Sequence, residues 1–209
     1  MKNFLIAALC LTVASGVYAE MKITGTIDGP LSGGLPKAIE LFTDVPIADL
    51  SIYAVESANN GGGTNGPEYV LSGSATAGQF LYVASETPQF NAFFGFNPDF
   101  TDGVANINGD DAIVLYKNGE IIDVFGDVNT DGTGQPWEYL DGWAYRNNGT
   151  GPDGFVWTIG NWSFSGPNAL DGETSNDTAA TPFPIGSYAV PEPACMALLP
   201  LLLLFFRRK

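Results

Sequence analysis

Ala112-Ile113-Val114-Leu115-Tyr116, Lys117-Asn118-Gly119-Glu120 and Ile121-Ile122-Asp123-Val124-Phe125 form the stretch on which the fold turns. Two apolar runs of strand length flank an Asn-Gly pair. Both central residues accept positive φ, so the run reads as a β-hairpin with a two-residue turn. Outward from it the chain repeats the same grammar, short β-prone runs broken by Gly, Asn, Asp and Pro. The expected strands are Lys22–Ile27, Ala38–Phe42, Leu50–Ala54, Tyr69–Leu71, Gln79–Ala84, Ala112–Tyr116, Ile121–Phe125, Trp143–Arg146 and Phe155–Ile159. No sustained helical period occurs between Glu20 and Val190, and Phe90 to Phe96 is expected to form one helical turn at most. Many short strands at close spacing predict an all-β sandwich. Two polar loops interrupt it. Residues 56–68 hold Asn59-Asn60-Gly61-Gly62-Gly63-Thr64-Asn65-Gly66, a run expected to be mobile. Residues 166–189 are expected to be a polar linker that wraps the domain or leads away from it.

The two ends differ in kind from the body. Met1-Lys2-Asn3, an apolar run from Phe4 to Val13, and small residues before Ala19 describe a secretory signal over 1–19, cleaved between Ala19 and Glu20. At the other end Val190-Pro191-Glu192-Pro193 precedes an apolar run from Ala194 to Phe206 and the cations Arg207, Arg208 and Lys209. Thirteen helical residues at about 1.5 Å each reach about 20 Å, short of the roughly 30 Å hydrocarbon core. The terminal cations are expected to stay cytoplasmic, which places the body outside.

Residues 190–209 resemble the PEP-CTERM sorting signal, a Pro-Glu-Pro triplet, a hydrophobic helix and a basic end in that order. The resemblance implies a Gram-negative bacterium and processing by an exosortase-type enzyme. It further implies transient anchoring in the inner membrane, then delivery to the cell surface, outer membrane or extracellular matrix.

With both ends removed, the body (Glu20 to Val190) keeps four cations, Lys22, Lys37, Lys117 and Arg146. Of the 23 acids in the chain only Glu192 lies outside it, so the body's net charge is about −18. Nucleic acid is excluded as a partner, because phosphate binding requires a basic footprint. Cys10 and Cys195 both lie in the end segments, so the body has no disulfide, and its length buries a core without one. The chain has no histidine, which weighs against hydrolase triads and zinc chemistry.

A further resemblance covers residues 22 to 163. Ala38-Ile39-Glu40-Leu41-Phe42, then Asp49-Leu50-Ser51-Ile52-Tyr53, then Gly109-Asp110-Asp111 before the hairpin, look like the motifs of the lamin-tail domain in order. That likeness implies an immunoglobulin-like β-sandwich over 20–165, flanked by the N-terminal signal helix and the C-terminal hydrophobic helix. It also implies a secreted setting.

Three groups of residues are candidates for chemistry. With Asp127 as position 1, Asp127, Asn129 and Asp131 fall at 1, 3 and 5, Gly132 at 6 and Glu138 at 12, the spacing of a calcium loop. Gly134 and Pro136 sit poorly in that pattern, and the competing reading is a polar turn capped by its own Asp and Asn side chains. Asn106, Asn108, Asp110 and Asp111 form a second acidic group, which reads as the turn before a strand. Trp137, Trp143 and Trp162, with Trp157, could stack sugar rings of an extracellular polysaccharide, or could fill the core. Arg146, a lone cation among acids, is expected to pair with Glu138 or Asp141. The expectation for function is a non-catalytic surface protein of adhesion or matrix association. The alternatives are a carbohydrate-binding module and a carboxylate-dependent hydrolase using a pair such as Glu138 and Asp141.

Overall fold

The structure, a computed structural model, describes residues 21–190. The signal segment with its Ala19/Glu20 junction, and the sorting motif from Pro191 to Lys209 with its helix, lie outside the described residues. Among the described residues no helix is long and apolar enough to cross a membrane.

The hairpin forms as its sequence dictates. Strands β7 (Ala112–Lys117) and β8 (Glu120–Phe125) pair antiparallel, and Asn118 and Gly119 take φ of 52° and 82°. With β3 (Tyr53–Ala58) and β4 (Tyr69–Val70) they make a four-stranded sheet in the order β4-β3-β7-β8. A six-stranded sheet faces it. It comprises β1 (Met21–Leu31), β2 (Leu35–Thr43), β5 (Gln79–Ala84), β6 (Phe100–Thr101), β9 (Gly142–Arg146) and β10 (Trp162–Phe164). Their order is β10-β9-β1-β2-β5-β6, and the short β5–β6 pair is parallel. The described residues are therefore mostly β-sheet, ten strands in two sheets, with one short α-helix, α1 (Pro88–Phe94).

The larger sheet is covered on both faces, and β2 shows how. Ile39 and Leu41 point into the core between the sheets, while Ala38 and Phe42 point to a second core outside, as the period of 2 requires. Strand β1 changes faces along its length. Met21 and Ile23 enter the inner core and Ile27 the outer one, because a bulge between Ile23 and Gly25 inserts one residue. The outer core is closed by Phe90 and Phe93 of α1 and by Leu170, Phe183 and Tyr188. Residues 166–189, expected as a polar linker that wraps the domain or leads away from it, cover the outer face of the larger sheet.

Its attachment is also polar. Glu40, 1 % exposed on the outer face of β2, accepts hydrogen bonds from Thr24 Oγ1 (2.7 Å), Tyr145 Oη (2.8 Å) and the Gly186 N–H (2.7 Å). Tyr145 Oη in turn accepts from the N–H groups of Ser187 (3.0 Å) and Tyr188 (2.9 Å). Burial pushes the Glu40 carboxyl up to about 6, against these hydrogen bonds.

Several local expectations are corrected. Leu50–Ile52 forms a 3-10 turn, capped by the Asp49 carboxylate on the Ser51 N–H (2.9 Å), and the strand begins only at Tyr53. Glu56, placed in a loop by its sequence, is a buried strand residue that accepts from Tyr116 Oη and from the Asn65 N–H. The Gly-rich run is pinned rather than loose. The Gly63 N–H donates to Val128 O (2.8 Å) and the Asn60 N–H to Asp111 (2.8 Å). Phe155–Ile159 is not a strand; the last strand comes later, at Trp162.

Candidate functional site

Six large apolar side chains are exposed among the described residues, and three of them, Phe155, Val156 and Ile159, fall within one five-residue stretch. Phe155 is 58 % exposed and Val156 is 76 % exposed. That concentration marks this loop, since apolar residues scattered singly on a surface need no explanation. The loop forms one wall of a cleft of about 280 Å³, and the other wall is the turn Gly126-Asp127-Val128-Asn129 that leaves β8.

Each wall is fixed from below. Phe125, the last residue of β8, is fully buried with its ring 4.6 Å from Trp162, 5.5 Å from Tyr139 and 6.2 Å from Trp157. Gly126 follows at φ 81°, where a Cβ would stand 2.9 Å from the Ala112 Cβ and 3.0 Å from the Trp137 ring. Only glycine turns the chain here. The Asp127 carboxylate then caps its own turn, accepting from the Asn129 N–H (3.0 Å) and Thr130 Oγ1 (2.9 Å).

The opposite wall hangs from a buried ion cluster. Arg146 Nη2 donates to both oxygens of Asp123 at 2.8 Å, and Nε donates to Ile23 O at 2.6 Å. Nη1 reaches Asp153 at 3.3 Å, and the guanidinium lies over Trp162, 4.5 Å from the ring centroid. Asp123 also accepts from the N–H groups of Ile23 and Asp153, both at 2.8 Å. Burial raises the Asp123 carboxyl, and Arg146 opposes that rise. Asp153 is thereby held at one end of the loop, and Trp157 returns to Phe125 and Trp137 at the other. Phe155 and Val156 are what the chain displays between these two fixed points.

The residues singled out in the sequence are placed differently. Trp137, Trp143 and Trp162 are 3 %, 8 % and 5 % exposed, so none presents a face to a sugar; all three are core. Trp157 is half-buried in the cleft, and its indole N–H is buried without an acceptor. Arg146 pairs with Asp123 and Asp153, not with Glu138 or Asp141. In the calcium-spaced loop, each carboxylate is turned to a neighbouring amide. Asp131 accepts from the Thr133 N–H (2.9 Å) and Glu138 from the Gly134 N–H (2.9 Å). No group of three or more acids or thiols that could hold a metal ion occurs among the described residues. Gly132 serves packing instead, since a Cβ there would lie 2.6 Å from Asp110 O and 2.8 Å from the Trp137 ring. The second acidic group does meet this loop. Asp110 accepts from Thr133 Oγ1 (3.0 Å), while Asp111 caps Asn60 and Asn108 (2.8 and 2.9 Å).

No family model, curated protein or solved structure matches this chain.

Phe155 and Val156 were hidden in the sequence because Phe-Val-Trp-Thr-Ile reads as a strand. The missing signal is pairing. The edge of β9 that such a strand would need is taken by Trp162–Phe164.

Proposed function

We propose that this chain is an exported, non-catalytic binding domain of the cell surface or extracellular matrix, which makes contact through the cleft between residues 126–129 and 155–157. The observation that carries this reading is the exposed pair Phe155 and Val156, displayed on a loop clamped at both ends. A clamped apolar loop loses little conformational entropy on contact, which favours binding. Around it the described residues carry 21 acids and four cations, a surface suited to solubility outside the cell. The deepest carboxylates, Glu40, Glu56, Asp111 and Asp123, are engaged in structural hydrogen bonds, which supports a binding rather than a catalytic role.

The finer assignment is an immunoglobulin-like, lamin-tail-like sandwich. The motif order in the sequence and the stacking of a four-stranded on a six-stranded sheet support it. Export through the signal segment and sorting through the Pro191-Glu192-Pro193 tail by an exosortase-type enzyme complete the proposal.

Adsorption of the purified protein to the producing cells' extracellular material tests the reading. Phe155→Ser with Val156→Ser is expected to lower adsorption by about tenfold or more, while Val70→Ser, at an exposed site in β4, leaves it unchanged. Equal adsorption of all three proteins would remove the cleft from the mechanism.

A further inference from the structure

Building on that reading, we infer that the cleft takes one ring of a neutral sugar, with Phe155 as its apolar wall and Asp127 and Asn129 as its hydroxyl-recognising rim. A sugar ring is amphipathic. Its C–H face seeks an aromatic surface, and its edge carries hydroxyls that both donate and accept. The two walls present that complement.

Phe155 is an aromatic ring with most of its surface free. Facing it, Asp127 uses two hydrogen bonds within its own turn, one on each oxygen. An ionised carboxylate has about four lone-pair sites, so capacity for two hydroxyl donors remains. Asn129 is exposed, and its side-chain amide makes no hydrogen bond among the described residues, leaving a donor and an acceptor together. Trp157 lines the cleft as well, with its indole N–H buried and without an acceptor among the described residues.

Size and charge narrow the ligand further. At about 280 Å³ the cleft falls just below the roughly 300–1,000 Å³ range of drug-sized pockets, a size that suits a single sugar ring. Asp127 sits in the wall, and the surrounding field is strongly negative, so a uronic acid or sulfated sugar is repelled. Neither wall carries a cation. An acidic peptide is disfavoured for the same reason.

Saturation-transfer NMR against the methyl glycosides of glucose, galactose, mannose and N-acetylglucosamine, with glucuronic acid beside them, tests the inference on the purified protein. At least one neutral glycoside is expected to bind, with a dissociation constant on the order of 1 mM. Phe155→Ala and Asp127→Asn should each weaken it by about tenfold, Val70→Ser should not, and glucuronic acid should bind more weakly. Because Phe155 is exposed, loss of binding in that variant with unchanged near-ultraviolet circular dichroism is not a folding effect. Absence of binding by every neutral glycoside at tens of millimolar, or binding indifferent to Phe155, overturns the sugar assignment. If adsorption to extracellular material still depends on Phe155 in that case, the cleft remains the contact site and only the ligand class is wrong.

Discussion

Arg146 on β9 and Asp123 on β8 join the two sheets through an ion pair with no solvent exposure at either side chain, Nη2 standing 2.8 Å from both carboxylate oxygens. The same guanidinium reaches Asp153, two residues before Phe155, so one buried cation both staples the sandwich and anchors the loop of the cleft. Removing Arg146 leaves Asp123 buried without its cation, and removing Asp123 leaves the buried guanidinium with only the longer contact to Asp153. Asp123→Ala or Arg146→Met is therefore expected to destabilise the fold by about 3–5 kcal/mol in urea denaturation. The double variant Asp123→Ala, Arg146→Met is expected to be less destabilised than the sum of the two. Strict additivity would mean that the pair is not coupled.

Glu40 sets a pH dependence. Its folded value is raised from an ordinary 4.5 to about 6, first by burial. The folded state thus holds this proton more tightly than the unfolded chain. The resulting stability is full below about pH 4.5 and is lost as pH rises through about 6, a change of about 2 kcal/mol for this one group. The groups facing it are Thr24, Tyr82, Tyr145 and the Gly186 N–H, none of them a cation. Urea midpoints should rise from pH 7 to pH 5, helped by the fall in net charge, and Glu40→Gln should flatten that rise. A midpoint that climbs with pH over this range would contradict the assignment.

The Gly-rich run offers a paired comparison. Gly61 (φ 70°) leaves room for no Cβ, which would stand 2.5 Å from the Asp131 N and 2.6 Å from the Thr130 carbonyl carbon. Gly66 (φ 101°) has nothing within 4 Å of that position. Gly66→Ala pays only for its backbone conformation, about 1–3 kcal/mol. Gly61→Ala adds a backbone clash and should cost at least about 1 kcal/mol more, with faster hydrogen exchange at Gly63. Equal losses would show that the run does not pack on residues 130–131.

Tryptophan substitutions separate core from surface. Trp162→Ala removes a ring from beneath Arg146 and Phe125 and is expected to cost about 3–5 kcal/mol. Phe155→Ser should change stability by no more than about 0.5 kcal/mol, since most of that side chain is already in water. Thermal melts of the two variants check the contrast.

How far the sequence carries depends on the range of the signal. The hairpin was readable because Asn118-Gly119 is a local device whose φ requirements act over two residues. Strand β2 was readable because Ile39 and Leu41 alternate with Ala38 and Phe42. Segment 166–190 was not, because Leu170, Phe183 and Tyr188 are single apolar residues without a period, each buried only by meeting the outer face of a distant sheet. The partner of Arg146 was misread for the same reason. Asp123 is 23 residues away, and only the packing of one sheet on the other brings the charges together. The calcium spacing of Asp127, Asn129, Asp131 and Glu138 shows the converse case, a correct local pattern in which the Asp127, Asp131 and Glu138 carboxylates each accept from a neighbouring backbone N–H.

Hydrogen exchange of the described domain, with and without soluble extracellular material from the producing cells, is the most direct measurement of where contact is made. Protection is expected at residues 126–129 and 153–159, with β4 and α1 unchanged. Protection confined to β4 or to α1, with residues 153–159 exchanging as before, would contradict contact through the cleft.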